Sequence, residues 1–547
     1  MGGNMNYGKH VSTKKTVQTE PVPGMAQVKN SAGGFVFAAD KWTRFKRFLI
    51  LGSEGGSYYA SEKKLTQENA ASVVECIKED GGKAINLIID VSSGGKAPKN
   101  DPAIFALALA LKEGDVETRR LASASIPQVC RIGTHLFQMA EAVKELGGWG
   151  RVTKRGFTRW YENQQPDSLA LNLVKYQSRN GWSHRDILRK AKPKPKSEVQ
   201  KLSYQWAVGK LPAEQSAQPL VPALIRGFEM AKVVTKDTEM VQLITDYNLP
   251  RECVPTQMLN SVKVWDALLT SGNGMPLTAM VRNLGKMTEI GLIKPLSDAS
   301  HFVAARLGDK EALRKARIHP MALLMAQSTY SSGHGLKGSL SWNPDSNVVD
   351  ALDEAFYMAF DTIVPTGKRY LLALDVSGSM SGGSVAGSNL TPRDASAAMS
   401  LVTARTEPWH HIVGFGVGGS SGLWGSGTQL KPLKLSPKMK LPEAVRSISD
   451  IPFGTTDCSL PMQYALKEKL KVDVFVIYTD SETYAGVVHP FQALRQYRQE
   501  TGIDAKLIVC GMVSNGFTIA DPNDAGMLDV VGFSTDVPTV MNSFVTG

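Results

Sequence analysis

RYLLALDVSGSM, Arg369 to Met380, is an apolar run that ends on Asp375 and turns at once into Val-Ser-Gly-Ser. A short apolar run closed by turn residues reads as a buried strand. The chain then alternates. TPRDASAAMSLVTARTE (391–407) has helical spacing, HHIVGFGV (410–417) is strand-like, and LPEAVRSIS (441–449) and SLPMQYALKEKL (459–470) are helical again. VDVFVIYTD (472–480), HPFQALRQYRQE (489–500) and AKLIVCGM (505–512) continue the pattern. Strands alternating with helices predict a doubly wound, mostly parallel sheet over 367–547, with its working loops at the carboxyl ends of the strands.

Upstream the pattern is different. From Phe35 to Val364, apolar residues recur at helical spacing between short Gly, Pro and Asn breaks, as in DPAIFALALALKEG (101–114) and TQMLNSVKVWDALLTSG (256–272). Helical pairs stacked as a solenoid fit 35–366, although no strict repeat shows in the letters. Residues 1–34 are polar and read as a flexible arm. The 547 residues, 42% hydrophobic and 21% charged, exclude both a single small module and a disordered chain.

No apolar run exceeds the nine residues Ala103–Leu111, against the ~20 a membrane-spanning helix needs. The start, MGGNMNYGKHVSTKKT, lacks the apolar stretch of a secretory signal, and Asn6 breaks the pattern that would myristoylate Gly2. A cytoplasmic protein is expected. Five scattered cysteines without a C-x-x-C pair point to buried thiols rather than a disulfide framework or zinc site.

The net charge of +11 is unevenly placed. Gly367 to the end holds 15 basic against 16 acidic residues, whereas Arg151–Lys210 holds 14 Lys/Arg against 4 Asp/Glu. A polyanion is the natural partner of such a segment, because phosphate contacts release condensed counterions. Phe157, Trp160, Tyr161, Tyr176, Trp182, Tyr204 and Trp206 are interleaved with these cations. Together the two classes suit unpaired nucleotides, with bases on rings and phosphates on cations. Taken singly, each aromatic is better read as helix core; taken as a cluster, they are expected to bind RNA.

In the α/β part, Asp375, Ser377 and Ser379 gather a carboxylate and two hydroxyls at one strand end. Gly454-Thr455-Thr456-Asp457 and Tyr478-Thr479-Asp480 lie at other junctions. These hard oxygens suit a divalent cation, Mg²⁺ first, with Mn²⁺ or Ca²⁺ as alternatives. A metal-free site in which the polar groups bond one another is the competing reading. Asp480 and Glu482, or Cys458 beside Asp457, make a poor nuclease dyad or thiol nucleophile, lacking further carboxylates or an activating histidine. No enzyme is expected.

This half resembles a von Willebrand factor A domain with a metal-ion-dependent adhesion site, whose pattern matches Asp375, Ser377, Ser379, Thr456 and Asp480. The resemblance implies an open metal position that an acidic protein ligand can fill. The whole chain resembles the Ro autoantigen family of TROVE-module proteins. The likeness is carried by FLILGSEGGSYY (48–59), CRIGTHLF (130–137), KYQSRNGWSHRDILR (175–189), LTAMVRNLGKMT (277–288), KARIHP (315–320), GTTDCSLPM (454–462) and the stretch from His489 to Pro522.

That resemblance implies a monomeric ring of HEAT-like helical repeats whose ends the A domain bridges. It further implies a Y-like small RNA on a basic outer surface and single-stranded 3′ ends of misfolded noncoding RNAs in a central hole. An exoribonuclease recruited through the Y RNA is a further implied partner. The RNA-binding residues it points to are Lys154, Arg155, Arg159, Lys175, Arg179, His184, Arg185 and Arg189 outside, with Arg282 and Lys286 inside. His184 has a second reading, a hydrogen-bonding residue at a helix start. A protein-interaction adaptor working through the A domain is the alternative function. Three features depart from the family: a longer and different arm before Phe35, the basic, proline-rich KPKPKSEVQK (192–201), and GGSSGLWGSG (418–427) around Trp424.

Overall fold

A computed structural model describes residues 15–52, 62–212, 218–272, 274–316, 318–335, 339–360, 364–382, 385, 390–418, 428–452, 454–532 and 536–546. Residues 419–427 with Trp424, residues 53–59 of FLILGSEGGSYY, and residues 1–14 lie outside them. Two compact units result, one of residues 73–359 and the other joining residues up to 72 with 360–547.

The first unit is helical. Gly81–Gly94 packs on Val116–Val129, which packs on Arg151–Glu162, while Asp101–Glu113 packs on Gly133–Glu145. Contact between each helix and the next but one is what a HEAT-like stack of helical pairs produces. The stops and starts are chemical. Asp80, Asp115, Ser183, Ser197, Ser261, Ser297 and Asp345 each accept a hydrogen bond from the backbone N–H three residues on, satisfying a donor that the helix leaves orphaned. One contact spans most of the unit. His319 takes the Met321 N–H on Nδ1, so Nε2 carries the proton and donates to the Lys96 carbonyl at 3.2 Å.

In the second unit a six-stranded sheet runs in the order Met527–Val531, Lys506–Gly511, Val474–Thr479, Tyr370–Asp375, His410–Gly418, Thr428–Pro432. Every neighbouring pair is parallel except the last, which is antiparallel. Tyr370–Asp375 and Val474–Thr479 are buried throughout, as expected of central strands covered on both faces. Leu371, Ala373, Phe475, Ile477, Leu507 and Val509 form a core with Met462, Leu494 and Tyr497. All five cysteines of the chain are buried thiols.

The arm expected over 1–34 is, from Gln18 on, part of this unit. Val28–Lys29 pairs with Phe35–Ala38, and that strand pairs with Phe517–Thr518. Gln18 is fully buried; its amide donates to Asp457 Oδ1 and the Val488 carbonyl, and Thr483 donates back to its Oε1. Asn30 donates to the Ser481 and Thr483 carbonyls. Side chains that look solvated by composition are consumed here by pairing with loops more than 400 residues away.

Candidate functional site

The sheet places one candidate site. Tyr370–Asp375 and Val474–Thr479 are adjacent strands whose connections leave in opposite directions, the switch point where open α/β sheets form a crevice at their carboxyl ends. Asp375 ends one strand and Asp480 follows the other. The Ser377 N–H and Thr479 hydroxyl donate to Asp375 Oδ1 and Oδ2 at 3.0 and 2.7 Å, and the hydroxyls of Ser377 and Ser379 lie 3.1 Å apart. Gly416 sits against Ser377 with φ +76, where a Cβ would come within 3.1 Å of it, and its carbonyl accepts from the Gly454 N–H. That bond ties the loop bearing Thr456 to the strand His410–Gly418, against which Ser377 sits.

Asp375, Ser377, Ser379, Thr456 and Asp480 are all buried, and among the described residues Thr456 Oγ1 and Asp480 Oδ2 have no hydrogen-bond partner. Burial pushes the Asp375 carboxyl up, against its Ser377 and Thr479 hydrogen bonds. Burial, then the charges of Asp375 and Glu482, push Asp480 well above the usual carboxylate range. Orphaned buried oxygens cost free energy that a small hard cation would recover, so the donor chemistry fits one. Among the described residues no three His, Cys, Asp or Glu gather as a metal cluster, so hydroxyls would have to share the ligation.

The second candidate is a basic face of the helical unit. In Arg151–Glu162 the buried residues are Thr153, Gly156, Phe157, Trp160 and Tyr161, one stripe at helical spacing; Lys154 and Arg155 are exposed opposite it and Arg159 is half-buried. In His184–Ala191 the inner residues are His184, Ile187 and Leu188, and the outer ones Arg185 and Arg189, one turn apart. None of Lys154, Arg155, Arg159, Arg185 and Arg189 forms an ion pair among the described residues. Between the helices, Ser178–Arg179 pairs with Trp182–Ser183 across Asn180-Gly181, both at positive φ, a two-residue hairpin turn that suits Asn-Gly. Trp182 points inward and donates to Glu141, leaving Arg179 exposed.

Family models place the chain. One described as TROVE domain matches residues 28–218 and 248–368, and one described as Ro60 vWA domain matches 369–545. The chain belongs to the Ro60 family. It is 42% identical over 527 residues to the RNA-binding protein RO60 of Deinococcus radiodurans, covering 95% of this chain and 96% of that protein. With the RNA-binding protein RO60 of Caenorhabditis elegans the identity is 36% over 596 residues, 95% and 90% of the two. The crystal structure of the Deinococcus radiodurans RO (RSR) protein aligns with a TM-score of 0.67 at 41% identity, covering 92% of this chain and 99% of that one.

Within this Ro60-family chain the sequence-derived residues divide. The carboxylates and hydroxyls converge as described. Of the basic set, Lys154, Arg155, Arg179, Arg185 and Arg189 are exposed, and Lys175 is half-buried with its ammonium 5.6 Å from the Tyr176 ring centre. His184 departs from the expectation. It is 3% exposed, Tyr161 Oη lies 2.8 Å from its Nδ1, and its Nε2 lies 3.2 Å from the Asn172 carbonyl. Burial lowers its pKa to about 4. It is a core residue packed against Phe137 and Trp160.

The aromatic cluster also departs. Phe157, Trp160, Tyr161, Trp182 and Tyr204 are buried, with Trp160 donating to the Cys130 carbonyl, so they form the floor under the cations. Only Tyr176 and Trp206 of the seven stay half-exposed. Arg282 and Lys286 share a helix, but Lys286 is engaged by Asn260 at 2.9 Å and Glu289 at 2.8 Å, while Arg282 is exposed. Sequence reasoning missed Thr479, whose hydroxyl fixes Asp375, and Lys190, whose ammonium lies 5.8 and 5.9 Å from the Trp149 and Trp182 rings.

Proposed function

We propose that this chain is a nonenzymatic RNA-binding scaffold that holds a small structured RNA of the Y type on the face formed by Lys154, Arg155, Arg179, Arg185 and Arg189. The observation that carries the reading is the set of exposed cations without acidic partners among the described residues, above a closed aromatic floor. Unpaired cations on rigid helices meet phosphates without first giving up an ion pair. The relatives named RNA-binding protein RO60 support RNA as the ligand. On this reading the protein works in the cytoplasm as a monomer in noncoding-RNA quality control. Misfolded RNAs would enter by single-stranded 3′ ends into the hole of a helical ring, and an exoribonuclease would be reached through the bound RNA. Among the described residues no helix is long and apolar enough to cross a membrane.

The A-type unit would hold a divalent cation, Mg²⁺ ahead of Mn²⁺ or Ca²⁺, on Asp375, Ser377, Ser379, Thr456 and Asp480. Bound there, the cation supplies a Lewis-acidic position for a partner's carboxylate, and the protein's own groups hold the loops in register. The orphaned Thr456 and Asp480 oxygens support this adaptor role beside RNA binding.

The test is salt dependence. Arg155→Gln with Arg185→Gln should weaken binding of a small stem-loop RNA and reduce the slope of log affinity against log salt by about 0.9 per lost phosphate contact. An unchanged slope sinks the RNA assignment to this face. RNA copurifying with the wild-type protein from its own cells, and lost from this variant, would identify the ligand.

A further inference from the structure

We propose that a cleft at the edge of the basic face takes one unpaired nucleobase of the bound RNA, guanine in preference to the other bases; this rests on the RNA reading above. The cleft has a volume of about 420 Å³, in the range of small-ligand pockets. Its walls are Leu173, Leu211 and the rings of Trp206 and Phe228, and its rim carries Arg185 and Lys232. Arg185 belongs to both sites, so a backbone phosphate held on the face stands beside the cleft mouth.

Trp206 is fixed rather than free. Its indole N–H donates to Glu229 Oε1 at 2.8 Å, and it meets Phe228 edge-to-face with ring centres 6.0 Å apart. Lys232 donates to the same Glu229 oxygen at 2.6 Å and stands 4.7 Å over the Phe228 ring. A half-exposed indole held in one orientation gives a base a surface on which to stack without a further ordering cost. Five of the seven clustered aromatics are used up as floor, and of the two half-exposed ones, Tyr176 and Trp206, Trp206 lines this cavity.

Glu229 selects the base. Ionised, its carboxylate only accepts hydrogen bonds. Guanine offers two adjacent donors, N1–H and the N2 amino group. Adenine and cytosine set one amino group beside a ring acceptor, and uracil places its single N3–H between two carbonyls, so each brings a repulsive oxygen or nitrogen to the carboxylate. A base inside a duplex has these groups occupied, hence the requirement for an unpaired one. Phe228, Glu229 and Lys232 fall in 219–247, between the two matched parts of the TROVE domain, so this wall comes from residues the family model leaves out.

The test uses the intact protein and five stem-loop RNAs, one fully paired in its stem and four with a single unpaired G, A, C or U, with guanosine monophosphate as competitor. Wild type should bind the unpaired-G RNA about ten-fold more tightly than the paired one, within the range of one stacked base. Glu229→Gln should keep the affinity for the paired RNA and lose the preference for G over U; Trp206→Leu should lose the gain for every unpaired base. Equal binding of all five RNAs by wild type overturns the cleft while leaving RNA binding intact. Binding of none overturns the RNA reading as well. Guanosine monophosphate binding as tightly as the unpaired-G RNA overturns the assignment to an RNA base in favour of a free nucleotide.

Discussion

On the helical unit, Arg185 and Arg189 stand in solvent without acidic partners above a sealed floor of Trp160, Tyr161 and His184. In the A-type unit, Asp375 and Asp480 are at most 1% exposed, and hydroxyls, amides and, for Asp480, the carboxylates of Asp375 and Glu482 are their neighbours. Exposed charge acts over a Debye length and is tuned by salt. Buried charge acts only on what enters beside it, and is tuned by protonation and by the entering group. The same residue classes therefore call for different perturbations in the two units.

The sharpest way to break the comparison is Trp160→Ala. If the ring is floor, the helical unit loses about 3–5 kcal/mol in urea unfolding, the usual penalty for emptying a buried aromatic site. A loss under about 1 kcal/mol with RNA binding abolished would make Trp160 a ligand-binding residue instead.

Acid comes next. His184 has an ordinary pKa near 6.5 when unfolded and about 4 when folded, because burial disfavours its cation. The unfolded chain then binds more protons, so the stability is full above about pH 6.5 and drains away as the pH falls toward 4. The loss at pH 4 is on the order of 3 kcal/mol. His135, also lowered to about 4 by burial, acts in the same direction. Urea midpoints of the helical unit at pH 7, 5.5 and 4.5 should fall in that order, and a flat series would place His184 in solvent.

For the A-type unit the corresponding test is the cation. Mg²⁺ at a hundred times its dissociation constant should add about 2.7 kcal/mol to the unit's stability, by mass action alone. Asp480→Asn should abolish that gain, and a gain that survives the substitution would remove Asp480 from the site. The smallest effect concerns display. Gly181, at φ +72, has nothing within 4 Å of a built Cβ, so Gly181→Val meets only the left-handed backbone penalty, about 1–2 kcal/mol. With Arg179 carried off register, RNA affinity should fall several-fold, measured by titration at fixed salt.

How much of this was legible depends on whether the signal is local. RYLLALDVSGSM shows its strand, its turn and the Asp375, Ser377 and Ser379 of the candidate site within a dozen letters, and the structure keeps the three together. The aromatic floor was legible too, but by spacing rather than count: positions 153, 156, 157, 160 and 161 lie on one stripe, which composition over a 60-residue window averages away. His184 was ambiguous because a histidine after a capping serine suits surface and core alike; only Tyr161 and Asn172, from other elements, decide it. The pairing of Phe35–Ala38 with Phe517–Thr518 could not be read, since two short strands nearly 480 positions apart carry no pattern that names each other.

That pairing sets an order of events during synthesis. The segment holding Val36, Phe37, Phe45 and Phe48 leaves the ribosome nearly 480 residues before Phe517–Thr518, the strand that Phe35–Ala38 pairs with. At ~5–20 residues per second the wait is roughly half a minute to a minute and a half. The helical unit, complete at residue 359, can fold during that interval; the A-type unit cannot. A nascent chain of this protein therefore holds an apolar strand, Phe35–Ala38, with one edge without its final partner until the last part of the α/β unit has been made.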